Sequence, residues 1–185
     1  MMSIIAGKWR GTKLTSVDSP SVRPTAQRTR SALFNILNGG RYEVNIENAL
    51  VIDLFAGSGA LGLEALSRGA DQAFFIENDN KAIQVITRNI ERLACQHQSV
   101  VLKQDACQPL SWSQRPADMV FCDPPYHSGF SAPALNLLYQ AGAIDDHTLI
   151  SVETKRGEPV LENPAFVLLE TRNYGIAQIC FYRLA

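Results

Sequence analysis

The sequence predicts an α/β protein with a mostly parallel, seven-stranded sheet, helices on both faces and a closing antiparallel hairpin. A small β-hairpin and helix precede that sheet. Three observations predict it. From Leu50 onward, short apolar runs alternate with segments of helical periodicity. The first run ends in a glycine-rich turn, Gly57-Ser58-Gly59-Ala60-Leu61-Gly62, and Glu77 follows 20 residues after Gly57. Near the C-terminal end, two β-rich runs flank Asn173-Tyr174-Gly175, a hairpin-turn signal.

Taken in order, residues 3–5 and 8–14 read as a short hairpin around Ala6-Gly7. The Ser- and Pro-rich stretch 15–24 reads as a loop. Thr25 suits the N-cap of a helix in which Ala32, Leu33, Ile36 and Leu37 recur at helical spacing until Gly39-Gly40 stops it. Residues 50–54 form a buried-type strand, 61–67 a helix ended by Gly69, 72–76 a second strand and 80–93 an amphipathic helix. Strands are expected at 100–103 and 118–122, a helix at 133–141, and a fifth strand at 148–153. The β-rich runs 166–171 and 176–182 complete the sheet. In such a sheet, functional residues gather at the C-terminal ends of the parallel strands.

The composition, 46% hydrophobic and 19% charged, is that of an ordinary globular domain. No apolar run approaches the roughly 20 residues that span a bilayer, and Met1–Gly7 lacks the form of a secretory leader. A cytoplasmic monomer without a membrane partner is the expectation. Cys95, Cys107, Cys122 and Cys180, like His97, His127 and His147, are scattered without metal-ligand spacing, so no metal is expected. The net charge of −1 conceals an asymmetry. Residues 1–34 carry Lys8, Arg10, Lys13, Arg23, Arg28 and Arg30 against Asp18 alone. Such a segment is either the footprint of a polyanion or a solvated arm whose charges pair with the acidic body.

In the glycine turn, Gly57, Gly59 and Gly62 let the backbone bend tightly and approach a ligand, and Glu77 is placed for ribose hydroxyls. These features suit any adenosine-bearing cofactor, NAD included. Asp53 separates the options. It stands at the strand end four residues before Gly57, where its charge would repel a pyrophosphate. The same charge would favour the sulfonium and ammonium of S-adenosylmethionine, which carries no phosphate. A loop-bracing carboxylate is the structural alternative for Asp53. Asp105 and the Ala106 N–H follow the third strand, where they are placed for an adenine ring or serve as ordinary loop residues. Phe55 and Ala56 in the turn, with Asn78 beside Glu77, complete the candidate cofactor contacts.

The fourth strand ends in Asp123-Pro124-Pro125-Tyr126. Two prolines remove two backbone donors and fix φ near −65°, so the segment is stiff and cannot continue the sheet. The Asp123 carboxylate and the Pro124 carbonyl then supply two acceptors, and Tyr126 an aromatic face. A planar heterocycle with an exocyclic amine needs those three groups. Its nitrogen lone pair is delocalised into the ring, and two hydrogen bonds to its protons free the pair for in-line attack on a methyl group. The base itself is held by stacking after leaving its neighbours.

These motifs resemble those of class I, Rossmann-like amino-methyltransferases. Two further stretches, Ile5-Ala-Gly-Lys-Trp-Arg-Gly11 and Arg23-Pro-Thr-Ala-Gln-Arg-Thr-Arg-Ser-Ala-Leu-Phe-Asn35, resemble the bacterial RsmD family, which methylates N2 of a guanine in small-subunit ribosomal RNA. The resemblance implies that S-adenosylmethionine is the cofactor. Thr25 and its neighbours would then reach the methionine end, Glu77 the ribose, and Asp105 with Ala106 the adenine. Asp123, Pro124 and Tyr126 would act on the guanine. Lys8, Trp9, Arg10, Arg23 and Arg28 would contact RNA, presented within the small subunit or an assembly intermediate. Residues 1–40 would form the RNA-contacting extension and 41–185 the methyltransferase domain. Ser31 departs from the family pattern, which has an acidic residue there.

Other readings share parts of this pattern. A DNA adenine-N6 methyltransferase would use Asp-Pro-Pro-Tyr equally well, although 185 residues leave little room for a target-recognition domain. A glutamine-amide methyltransferase would not need the basic arm. A non-catalytic adenosine-binding module would not need Asp-Pro-Pro-Tyr, and an NAD-dependent oxidoreductase would need acid/base groups that the pattern lacks.

Overall fold

The protein, seen in a computed structural model, is described over residues 2–17 and 24–185, with the backbone alone at 24–26. Its helices are α1 (Pro24–Asn38), α2 (Ala60–Ser67), α3 (Asn80–Arg92) and α4 (Ser131–Gln140). Its strands are β1 (Leu50–Leu54), β2 (Gln72–Glu77), β3 (Ser99–Lys103), β4 (Met119–Cys122), β5 (Leu149–Lys155), β6 (Phe166–Tyr174) and β7 (Ala177–Leu184). All seven join one sheet in the order β3-β2-β1-β4-β5-β7-β6. The first five run parallel, and β7 inserts antiparallel between β5 and β6. Strand order reverses between β1 and β4, which opens a crevice at their C-terminal ends.

The burial pattern explains the buried-type strands. β1 is buried at all five positions because both faces of the sheet are covered. Val51 faces a core that holds Phe34 of α1, Leu63 and Leu66 of α2, and Ile86 of α3. Ile52, one residue on, faces a second core with Leu135 and Leu138 of α4. α3 begins where the Asp79 side chain accepts the Ala82 N–H, a conventional cap.

The N-terminal segment folds back as the expected hairpin, with Ile4 N–H donating to Thr12 O, Gly11 N–H to Ile4 O and Leu14 N–H to Met2 O, but it is barely regular. Only one bridge, Ser3 with Lys13, has strand character. Gly7 and Gly11 adopt φ of 81° and 85°, and the turn bonds Arg10 N–H to Gly7 O and Thr12 N–H to Trp9 O coil the chain between them. The body also holds the segment. Glu64 of α2 accepts the Ile5 and Ala6 N–H groups, and Ser67 Oγ donates to Ala6 O and accepts from Trp9 N–H. Asn89 of α3 pairs with both backbone groups of Thr15. α1 starts at Pro24, so Thr25 lies within its first turn rather than at the cap. Proline suits that first position because its missing N–H has no helical partner to lose.

Candidate active site

Four strand ends build the site. After β1, Phe55, Gly57 and Gly59 take left-handed φ angles of 59°, 58° and 75°, which turn the chain sharply into α2. Glycine adopts this region without cost, and Phe55 holds it because the turn is over-determined. Gly62 has a different reason to be glycine. An added Cβ would lie 2.5 Å from the Phe75 ring, so α2 could not approach β2 as closely.

Asp53 closes this corner. It is 1% exposed, and its Oδ2 accepts the Gly62 N–H at 2.9 Å, bracing β1 against α2. Burial raises its proton affinity well above the carboxylate range, the nearby Asp123 and Glu77 charges add to that, and the Gly62 bond opposes it. Glu77, at the end of β2, accepts the Gly57 N–H at 2.8 Å and the Asn78 and Asp79 N–H groups at 2.9 Å. Asp105, after β3, accepts the Cys107 N–H at 2.8 Å. Ala106 packs onto the core beneath.

Asp123 leaves β4 with its N–H directed to Leu54 O, and Pro124 behind it is buried. The Asp123 carboxylate is open to the cleft and enclosed by protein elsewhere, and this enclosure raises its proton affinity. Cys122 of β4 and Val152 of β5 are register partners. Asp123, just past β4, and Glu153, within β5, therefore stand side by side, about 5 Å apart by strand spacing. Tyr126 is 37% exposed and its hydroxyl donates to Glu153 Oε1 at 3.2 Å. Burial first, then the Asp123 charge, raise the Glu153 carboxyl to about 8, against the Tyr126 bond.

These groups share a cleft of about 680 Å³ whose walls include Phe55, Glu77, Asp105, Asp123, Tyr126 and Glu153. Gly57, Asn78 and Pro124 also line it, and Phe130 stacks on Phe55 with centroids 6.3 Å apart. A second cavity of about 290 Å³ opens from the same floor, sharing Phe55, Gly57, Asp123 and Glu153 and adding Arg30, Asp53 and Ala56. The Arg30 guanidinium donates to Ser3 O and lies 3.9 Å from Glu64. Three carboxylates of raised proton affinity thus meet at one corner. Such a corner stabilises a cation and repels phosphate.

Ten of the predicted residues meet at the main cleft: Phe55, Gly57, Glu77, Asn78, Asp105, Asp123, Pro124, Tyr126 and, through the adjoining cavity, Asp53 and Ala56. Gly59 is buried at the start of α2. Among the predicted RNA-contacting residues, Lys8, Arg10 and Arg28 are exposed. The Lys8 ammonium donates to Gln98 and lies 4.2 Å above the Trp9 ring. Arg23 and the Thr25 side chain lie outside the described residues. Glu153, Phe130 and Arg30 were not foreseen. Glu153 had a usable signal, a carboxylate at the end of a parallel strand beside β4, whereas Phe130 is positioned only by tertiary packing. Among the described residues no cluster of metal-ligating side chains exists, and no helix is long and apolar enough to cross a membrane.

Known proteins fit this geometry. The family model described as "Conserved hypothetical protein 95" matches residues 2–183. A ribosomal RNA small subunit methyltransferase D of Haemophilus influenzae is 36% identical over 183 residues, covering 97% of this chain and 92% of the relative. The protein of that name from Escherichia coli K12 is 43% identical over 152 residues, 82% of this chain and 74% of the relative. A solved structure described as a putative methyltransferase, yhhF from E. coli, superposes with a TM-score of 0.82 at 36% identity, covering 99% of this chain and 97% of that one. With a three-carboxylate corner, a glycine-rich turn after β1 and these relatives, the chain belongs to the Conserved hypothetical protein 95 family, the RsmD family of methyltransferases.

Proposed function

We propose that the protein methylates the exocyclic N2 amine of a guanine in small-subunit ribosomal RNA with S-adenosylmethionine as cofactor. The observation that carries the reading is the shared cleft. Glu77 and Asp105 line one end of it, and Asp123, Pro124 and Tyr126 the other.

S-adenosylmethionine supplies an electrophilic methyl group on a sulfonium. Glu77 keeps acceptor capacity for ribose hydroxyls beyond its bonds to Gly57, Asn78 and Asp79, since a carboxylate has about four lone-pair sites. Asp105 and Ala106 address the adenine, beside Asn78, and the Phe55–Gly59 turn lets the backbone approach. The second cavity suits an amino-acid tail, with Arg30 for its carboxylate and Asp53 for its ammonium. Thr25, at the start of α1, belongs to the same end. The three carboxylates gain from a bound cation, which lowers their proton affinities together.

Asp123 and the Pro124 carbonyl accept the two amine protons, which directs the nitrogen lone pair toward the methyl group. With the cofactor bound, its sulfonium would supply the methyl group to that nitrogen and depart as the thioether, and Asp123 would pass the surplus amine proton to solvent. Tyr126 holds the base by stacking, worth roughly 1–3 kcal/mol. Lys8, Trp9, Arg10, Arg23 and Arg28, in the extension 1–40, neutralise RNA phosphates, and residues 41–185 carry the methyl transfer.

The test offers radiolabelled cofactor with small ribosomal subunits, naked ribosomal RNA and unmethylated duplex DNA. Label recovered as N2-methylguanine supports the reading, and label on DNA adenine alone overturns it. Asp123→Ala should abolish transfer while cofactor affinity stays near wild type. Loss of cofactor binding in that variant would make Asp123 a structural residue.

A further inference from the structure

A purine amine is recognised together with its neighbour on the ring. In guanine the amine stands beside N1–H, so a second donor adjoins it on that side. In adenine and in 2-aminopurine the amine stands beside a ring nitrogen lone pair. A site that holds the amine must also meet that neighbouring position, and its chemistry decides which base enters.

At this site Glu153 stands beside Asp123. Asp123, just past β4, and Glu153, within β5, each stand one residue beyond the register pair Cys122 and Val152. The Tyr126 hydroxyl holds Glu153 Oε1 at 3.2 Å, so a base stacked on the Tyr126 ring brings its edge to that carboxylate. Glu153 lines the main cleft, the adjoining cavity and a third cavity of about 210 Å³ behind the Pro124-Pro125-Tyr126 segment. It therefore stands at the centre of the binding region. Its backbone belongs to a strand, which gives it the fixed position a specificity contact needs.

We infer that Glu153 reads the ring nitrogen beside the target amine, accepting the N1–H of guanine while Asp123 and the Pro124 carbonyl hold its N2 amine. This rests on the methyltransferase reading above and extends it to base choice. The groups facing Glu153 fit the role. Asp123 is a second carboxylate, the Tyr126 hydroxyl donates to it, and Asp53 and Arg30 line the adjoining cavity with it. Burial raises the proton affinity of both carboxylates, and the Asp123 charge adds to that of Glu153. A cationic cofactor favours their ionised forms, and an ionised carboxylate is an acceptor only. It then matches N1–H and opposes a ring lone pair. Adenine-type edges are rejected because they bring a lone pair to a carboxylate and leave it desolvated without a donor.

The experiment uses radiolabelled S-adenosylmethionine and small-subunit RNA with either guanine or 2-aminopurine at the methylated position. 2-Aminopurine keeps the same amine and replaces N1–H by a lone pair. Wild type should prefer guanine by about 100-fold or more in kcat/KM, the discrimination of a site built around a hydrogen bond. Glu153→Gln should shrink that ratio to about tenfold or less, because its amide turns either a carbonyl or an NH₂ to the ring. Because Glu153 belongs to the corner that favours a cation, both RNAs are compared at saturating cofactor. A wild-type ratio near one, or an unchanged ratio in Glu153→Gln, overturns the role of Glu153 while the methyltransferase reading stands. Failure of wild type to label the guanine RNA overturns the reading and the inference together.

Discussion

Replacing Glu64 with Gln tests how the N-terminal arm is attached. Glu64 is fully buried on α2, accepts three hydrogen bonds and faces a second arginine. It accepts the Ile5 N–H at 2.8 Å and the Ala6 N–H at 3.0 Å. It also accepts Arg68 Nε at 2.8 Å and lies 3.9 Å from Arg30 Nε. Both arginines are at least nine-tenths buried, and Arg68 lies 4.7 Å over the Phe34 ring. A glutamine amide keeps the shape but has one oxygen, so its NH₂ must face one of these donors. Two buried guanidinium charges lose their counter-charge as well. Removing one partner of a buried ion pair costs about 3–5 kcal/mol. At roughly 2–4 °C per kcal/mol for a chain of this size, the melting temperature should fall by about 6–20 °C. The assay is thermal unfolding joined to hydrogen exchange at the Ile5 and Ala6 amides, which should lose protection beyond the global change. A fall under about 3 °C with unchanged exchange would refute the claim that Glu64 anchors the arm.

Three further outcomes are expected. Gly62→Ala should destabilise the protein by about 1–3 kcal/mol, the range for overpacking, because its Cβ meets the Phe75 ring at 2.5 Å. A urea midpoint equal to wild type would show that Phe75 moves aside freely. Arg10→Ala combined with Arg28→Ala should weaken RNA association and flatten its salt dependence by about two charges' worth of slope. An unchanged slope would count against the arm as an RNA footprint. Glu153→Gln should also change how stability responds to pH. Glu153 binds its proton more tightly in the folded state, with its carboxyl raised from the usual 4.5 to about 8. Folding therefore binds a proton, and wild-type stability falls as pH rises through that window. Glutamine carries no such penalty, so the melting temperature of Glu153→Gln relative to wild type should climb between pH 5 and pH 8. A constant difference would show that the carboxyl titrates normally.

The alternation of apolar runs and helical periodicity from Leu50 onward was sufficient to give the parallel sheet, since burial on both faces demands near-continuous apolar strands. The glycine turn and the Asp123–Tyr126 segment were legible for a related reason. Positive φ and missing N–H groups are properties of single residues, so glycine and proline announce them without help from the fold. The N-terminal segment was less legible. Its strand propensity was read correctly at Ser3 and Lys13, but its conformation is set by Glu64 and Ser67, some 60 residues away.

By itself, then, the sequence determined the fold class, the cofactor turn and the rigid two-acceptor segment, because each follows from local periodicity or from the chemistry of one residue. Only the tertiary structure decided the rest. It placed Glu153 beside Asp123 through the β4–β5 register, set Phe130 on Phe55, and brought Arg30 to the wall that Asp53 shares. It also assigned Asp53 a bracing bond to Gly62, which its position in the chain had left open. Register and packing between elements distant in sequence have no local signature. The proton affinities of the three carboxylates depend on burial and mutual distance, which exist only once those elements have met.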